Sequence, residues 1–233
     1  MISDSALANE LYWGCYLLGF VVMFIFNTAY AKHYRISPKK ALLFTVVSYA
    51  VVYLWAYILA WVINGFEWGH HNAIRVYIWF PLVLLLFGKL FHIDFRTACE
   101  YMAPSTCIVY GIARLGCNFT GCCYGIPAAW GIYSKLADTR CFPVQLCEAL
   151  SSLLIAVILI RIAKKKKFRP TGKLYPFMLV IYGAARFVWE LFSAKPRIFC
   201  GITELGIWAF ATSVIGIVWL LILRRRTPSK KKA

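Results

Sequence analysis

The chain has 233 residues, 61% of them hydrophobic and 17% aromatic, with a formal net charge of +17 and a mean hydropathy of +0.68. A composition this apolar points away from a soluble domain and toward an integral membrane protein, and repeated apolar runs exclude an open sheet, which cannot cross lipid. Nineteen of the 26 Lys and Arg follow the first, third, fifth and last apolar runs, where the positive-inside rule puts them, so the charge is read as topology and loose lipid contact and not as nucleic-acid binding.

Residues 1–10 form a short polar lead, either an interfacial helix or a disordered segment. Asp4 and Glu10 and the absence of a basic n-region argue against a cleavable signal, so the first span is expected to stay in place. That span, near 11–31, opens with Tyr12 and Trp13, which suit a membrane interface. Gly14 and Gly19 are read as helix-packing positions, and Tyr16 as a candidate for lining a cavity. The second span, near 41–63, carries Tyr49, Tyr53 and Tyr57 on one helical face, either a packing stripe or a polar-lined lipid groove. His70 and His71 lie in the next loop. Adjacent side chains diverge, so a metal pair is not expected, but His70 is a candidate proton acceptor because imidazole titrates near neutrality.

Spans near 74–91 and 97–114 follow, with Tyr77 in the first and Glu100 near the inner end of the second, where it is read as a solvated or interfacial charge. The segment Ala113-Arg114-Leu115-Gly116-Cys117-Asn118-Phe119-Thr120-Gly121-Cys122-Cys123-Tyr124-Gly125 is read as the organising element. Glycines permit close backbone approach or positive φ, and an arginine at membrane depth needs a partner or a wet cavity, or else must snorkel to the headgroups. After it, the stretch to Phe142 is too polar to cross the membrane and is expected to form a small outward-facing loop or head at about 117–142.

Pro143-Val144-Gln145-Leu146-Cys147-Glu148 opens a span near 144–163, with Gln145 and Glu148 on one face. Glu148 is either a site residue or a carboxylate favoured by the helix dipole. The span near 173–192 places Tyr182, Arg186 and Glu190 at i, i+4 and i+8, and an Arg–Glu pair on one helix can neutralise itself. Thr203 or Glu204 is expected to cap the last span, near 204–223. The expected architecture is therefore one all-α domain over 1–233, a polytopic helical bundle of about seven transmembrane helices with the N-terminus outside and the C-terminus cytoplasmic. Within it, Arg114 and Arg186 are the two arginines whose convergence would make an anion site, with phosphate as the natural ligand for guanidinium forks.

These segments carry a resemblance. The framework Arg114-Leu115-Gly116 through Gly121 to Gly125, the run Pro143 to Glu148, and Tyr182-Gly183-Ala184-Ala185-Arg186-Phe187-Val188-Trp189-Glu190 resemble the signature segments of the prolipoprotein diacylglyceryl transferases. Tyr16-Leu17-Leu18-Gly19-Phe20 is a weaker match. The resemblance implies transfer of a diacylglyceryl group from phosphatidylglycerol to a lipobox cysteine thiol of a prolipoprotein, at the bacterial cytoplasmic membrane, without a cofactor. It implies that Arg114 and Arg186 hold the phosphate, and that Glu148, Tyr182 and Glu190 order the site, with Tyr16, Gly116, Asn118, Gly121, Gly125 and Gln145 in the substrate-binding framework. The family's His-Gly-Gly segment, whose histidine is implicated in activating the thiol, corresponds here to Tyr77-Ile78-Trp79-Phe80, and Cys117, Thr120 and Cys122 replace two asparagines and a glutamate of the signature. Tyr77, His70, His71 or a deprotonated cysteine are the candidate replacement bases.

Two other readings compete with the transferase. The first is an outward-facing redox or metal protein built on Cys117, Cys122, Cys123, Cys141 and Cys147, although their spacing is not that of paired zinc ligands and no metal site is expected. The second is a non-catalytic phospholipid-binding or transport protein that kept the groove.

Overall fold

The structure, a computed structural model, describes residues 5–63 and 73–225. In chain order these form α1 (Ser5–Tyr30), a 3₁₀ turn (Ala31–Tyr34), α2 (Pro38–Ile63), α3 (Ala73–Leu90), α4 (Phe95–Thr120), β1 (Pro127–Ser134), β2 (Thr139–Cys141), α5 (Val144–Lys165), α6 (Leu174–Leu191), β3 (Arg197–Phe199), β4 (Ile202–Thr203) and α7 (Glu204–Arg225). The seven helices sit where the apolar runs placed them. The all-α bundle is joined by two small antiparallel hairpins, β1–β2 and β3–β4. Both lie at one end of the bundle.

α1, α2, α5, α6 and α7 are the five described helices long and apolar enough to cross a membrane, while the apolar part of α3, Val76–Leu90, is shorter. α4 is not among them, because it carries Glu100, Ser105, Thr106, Arg114 and three cysteines. It tolerates these groups because it is the central helix: α1, α3, α5 and α6 all pack on it, and nearly every residue from Ala98 to Thr106 is buried in protein. Polar side chains at membrane depth are found where they face protein and not lipid.

α4 starts on Asp94, whose carboxylate accepts from the backbone N–H of Arg96 (3.0 Å) and Thr97 (3.3 Å). It continues through Gly116 and Cys117 to Thr120 and ends at Gly121, in the left-handed conformation with φ 69° that glycine adopts without steric cost. The loop, expected from 117, therefore begins at 121. Gly116 is helical, and its missing side chain serves packing: a Cβ there would stand 2.9 Å from Tyr12 O on α1.

At one end of the bundle lie the basic loops that follow α1, α3 and α5. Lys40 Nζ donates to His92 O (3.4 Å), and His33 stacks on Phe168 with centroids 4.2 Å apart. Glu100 is 1% exposed and accepts from Thr171 Oγ1 (2.6 Å) and Lys173 N (3.1 Å). It is not the solvated charge expected from its place in the sequence; it staples α4 to the turn that starts α6. The other end is closed by the 121–143 segment and the β3–β4 hairpin. Ile126 N donates to Phe192 O (2.8 Å), and a Cβ at Gly125 would meet Phe142 O and Phe192 O, each at 2.6 Å. The tyrosine stripe of α2 starts as packing, with the Tyr49 hydroxyl donating to Thr106 Oγ1 (3.0 Å), and ends exposed at Tyr57.

Candidate functional site

Three helices carry the site, all toward the hairpin end. Arg114 is in the penultimate turn of α4, Glu148 in the first turns of α5, and Arg186 and Glu190 in the last turns of α6. Arg114 Nε lies 2.6 Å from Glu148 Oε2, and Arg186 Nη1 pairs with the other oxygen, Oε1, of the same carboxylate. Arg186 Nη2 also reaches Glu190 Oε2 at 3.0 Å, and Lys195 Nζ, from the loop after α6, lies 3.5 Å from Glu190 Oε1. Glu190 is held from the far side by Thr203, whose hydroxyl donates to Oε1 (3.1 Å) while accepting from Gly206 N (3.0 Å), which makes Thr203 the cap of α7 as expected.

The network runs Arg114–Glu148–Arg186–Glu190–Lys195, so three cations face two carboxylates. Glu148, Arg186 and Glu190 side chains are 3% exposed or less. Charges this far from water need compensation close by, and the cluster holds one more cation than carboxylates. Burial pushes the Lys195 ammonium pKa below its ordinary value.

Tyr110, which the sequence reading did not single out, ties the arginines together. Its hydroxyl accepts from Arg114 Nε (2.8 Å) and donates to Glu148 Oε2 (3.2 Å). A signal for it was present: Tyr110-Gly111-Ile112-Ala113-Arg114 on α4 repeats the pattern of Tyr182-Gly183-Ala184-Ala185-Arg186 on α6. In each copy the tyrosine lies one turn before the arginine, and the glycine admits a neighbouring helix. A Cβ at Gly111 would stand 2.8 Å from Leu153 Cγ of α5, and one at Gly183 2.6 Å from Ala209 O of α7. The Tyr110 and Tyr182 rings meet edge-on at 5.5 Å.

The fold thus brings together Arg114, Glu148, Tyr182, Arg186 and Glu190. Tyr77 joins through its ring, stacked 4.2 Å from Tyr182, but its hydroxyl donates to the backbone carbonyl of Thr106 (3.3 Å). Tyr16 packs against Tyr12, with ring centroids 4.9 Å apart. Gln145 turns away from the arginines, and its Nε2 donates to Cys122 O (2.5 Å). Asn118 borders a different shallow cleft, with Gly121, Tyr124, Phe142 and Gln145. Gly116, Gly121 and Gly125 shape backbone and do not line the arginine cluster. His70 lies outside the described residues.

A narrow cleft between α5 and α6 borders the network. Tyr110, Glu148, Ser151, Ser152, Tyr182, Arg186 and Trp189 line it. Its rim is closed by Trp189 Nε1 donating to Ser151 Oγ (3.2 Å), and Leu150, Leu154 and Val188 lie exposed on the same two helices.

Beside Arg114 the thiols gather. Cys117, Cys122 and Cys123 have Sγ atoms all within 4.8 Å of one another, and Arg114 Nη1 lies 3.6 Å from Cys117 Sγ. Cys141 and Cys147, grouped with them on sequence, are not in the cluster. Hydrogen bonds from Cys117 and Cys122, aided by the positive charge of Arg114 and Lys195, push the Cys123 thiol below its ordinary pKa.

Comparison with known proteins bears on this geometry. Curated relatives include proteins named phosphatidylglycerol–prolipoprotein diacylglyceryl transferase from Clostridium tetani (25% identical, covering 48% of this chain and 47% of the relative), from Bordetella avium (29%, 64% and 59%) and from Streptococcus uberis (21%, 97% and 95%). The chain spans about half the length of the first two of these relatives. The family model described as prolipoprotein diacylglyceryl transferase matches residues 10–223, which takes in all three site helices and the thiol turn, and the chain belongs to that family.

Proposed function

We propose that this protein transfers the diacylglyceryl group of an anionic glycerophospholipid, phosphatidylglycerol by analogy with the names of its relatives, to a thiol acceptor such as the lipobox cysteine of a prolipoprotein. The observation that carries this reading is the convergence of Arg114 and Arg186 on the single carboxylate of Glu148, inside a network with one more positive than negative charge. A phosphodiester brings one negative charge and oxygens that match guanidinium forks.

The lipid enters through the α5–α6 cleft, its acyl chains remaining against Leu150, Leu154 and Val188. Its phosphate takes up the arginine donors, and Glu148 and Glu190 keep the two guanidiniums in place before and after. The acceptor sulfur attacks the glyceryl carbon that bears the phosphate. The S–C bond forms as the C–O bond breaks, and the electron pair leaves with glycerol 1-phosphate. The arginines stabilise the charge that gathers on that oxygen; removing one such preorganised donor costs about 10²–10³ in rate. In this reading all seven helices cross the bacterial cytoplasmic membrane, with the basic loops inside, the N-terminus outside, and the site and thiol turn facing outward.

The test is incubation of the purified protein with phosphatidylglycerol vesicles and a lipobox peptide, following peptide mass and glycerol phosphate release. Diacylglyceryl-modified peptide is expected, and its loss in an Arg114→Ala, Arg186→Ala double variant. Normal turnover by that variant would refute the site. Lipid that stays bound to the wild type with no product from any thiol would favour a binding or transport protein, a reading supported by the lack of a histidine at Tyr77–Phe80.

A further inference from the structure

The mechanism above leaves the acceptor thiol without a group to activate it. Tyr77 is committed to a backbone carbonyl. The trithiol cluster lies next to the phosphate-binding arginine and has no part in that mechanism. Cys117 comes from the last turn of α4, and Cys122 and Cys123 from the turn after its glycine cap. Adjacent side chains on extended backbone point to opposite sides. Here Cys123 takes the left-handed region, at φ 58°, and both neighbouring sulfurs face Cys117. For a non-glycine residue that conformation is uncommon and is kept only where the surroundings enforce it. The surroundings do: Gln145 Nε2 holds Cys122 O (2.5 Å), Thr120 Oγ1 donates to Cys122 Sγ (3.3 Å), and Arg114 Nη1 lies 3.6 Å from Cys117 Sγ.

Tetrahedral zinc binds thiolates at about 2.3 Å, which sets sulfur–sulfur separations of about 3.8 Å. The three sulfurs, within 4.8 Å of one another, close onto such an ion by moving no more than about 1 Å. Three thiolates and a dication carry one net negative charge, and the guanidinium of Arg114 lies 3.6 Å from Cys117 Sγ. Three protein ligands also leave a fourth tetrahedral position open, the arrangement of zinc sites that bind a reactant and not of purely structural ones.

We propose that Cys117, Cys122 and Cys123 bind a thiophilic divalent cation, with Zn²⁺ the best fit, whose fourth position takes the acceptor thiol. The proposal rests on the transferase reading and adds the acceptor side of it. On coordination the acceptor S–H gives its proton to water, because a metal-bound thiol is deprotonated outright. The bound thiolate sulfur attacks the glyceryl carbon as described, the C–O bond breaks toward the phosphate held by Arg114 and Arg186, and the neutral thioether, a poor ligand, leaves the ion. No electrons are exchanged with any other species.

The experiment is metal analysis of the detergent-purified protein. Loaded with Zn²⁺ under reducing conditions and desalted, the wild type is expected to keep about one zinc per chain. With Co²⁺ it should show thiolate-to-metal charge-transfer bands that shift when a lipobox peptide is added and do not shift with the cysteine-to-serine peptide. Cys122→Ser and Cys123→Ser should retain at least tenfold less metal while still melting cooperatively and binding phosphatidylglycerol vesicles, and Cys141→Ser and Cys147→Ser should retain it. A wild type that keeps neither ion, a Cys117→Ser, Cys122→Ser, Cys123→Ser variant that keeps as much as wild type, or an intact mass showing the cluster joined as a disulfide would each overturn the site. If diacylglyceryl transfer proceeds in rigorously metal-free protein, the metal proposal fails while the transferase reading stands. If metal binds and cobalt bands ignore the peptide, the role in holding the acceptor fails.

Discussion

Arg114 and Arg186 lie on different helices, 72 positions apart in the chain, and each takes one oxygen of the Glu148 carboxylate. Glu148 is therefore the hinge of the site's electrostatics: without it, the two guanidiniums would lose the carboxylate they share.

Glu148→Gln removes that charge and keeps the shape. Breaking a buried ion pair by neutralising one partner costs about 3–5 kcal/mol. A clear drop in the thermal midpoint of the detergent-solubilised protein is expected, with part of it recovered on adding phosphatidylglycerol, whose phosphate replaces the lost anion. An unchanged midpoint would mean that Glu148 does not hold the arginines together.

Arg186→Lys keeps the charge and loses the fork. Arg186 uses separate nitrogens on Glu148 and Glu190, a division that a single ammonium cannot reproduce. Glycerol phosphate release should fall by about 10²-fold, close to the effect of losing one preorganised donor. Near-normal rates for the lysine variant would show that position 186 supplies only bulk positive charge.

Tyr77→Phe separates a packing role from a basic one. The ring stack on Tyr182 survives the change, and what is lost is one hydroxyl donated to Thr106 O, worth about 1 kcal/mol of stability. Turnover within a few-fold of wild type is expected. A collapse of turnover with retained folding would return Tyr77 to the position of proton acceptor.

Gly183→Leu tests how closely α7 must approach the site helix. A Cβ at that position would already be 2.6 Å from Ala209 O, a backbone atom that cannot swing aside. Overpacking of this kind costs about 1–3 kcal/mol. Because Arg186 lies less than one turn on, both the thermal midpoint and the rate should fall. An Ala184→Leu change on the exposed face of the same helix should leave both alone.

Much of this protein was legible before any coordinates. The described helices follow from apolar runs, least clearly for α4, and the capping of α7 by Thr203 follows from cap chemistry. The shared face of Tyr182, Arg186 and Glu190 follows from helical periodicity. Even the pairing of Arg114 with Arg186 was expected, since two arginines at membrane depth need a common purpose. All these are properties of a residue and its neighbours within a turn or two.

Tertiary packing decided the rest. Glu100 reads as a surface charge until Thr171 and Lys173, more than 70 positions later, are seen to bury it. Hydropathy passes over α4 because it assumes that a helix faces lipid, whereas α4 is surrounded by protein. The shared carboxylate of Glu148, the bridging hydroxyl of Tyr110 and the meeting of three sulfurs depend on how helices are rotated against one another and on one left-handed cysteine. Sequence periodicity determines which face a helix offers, but only the packed bundle determines what that face meets.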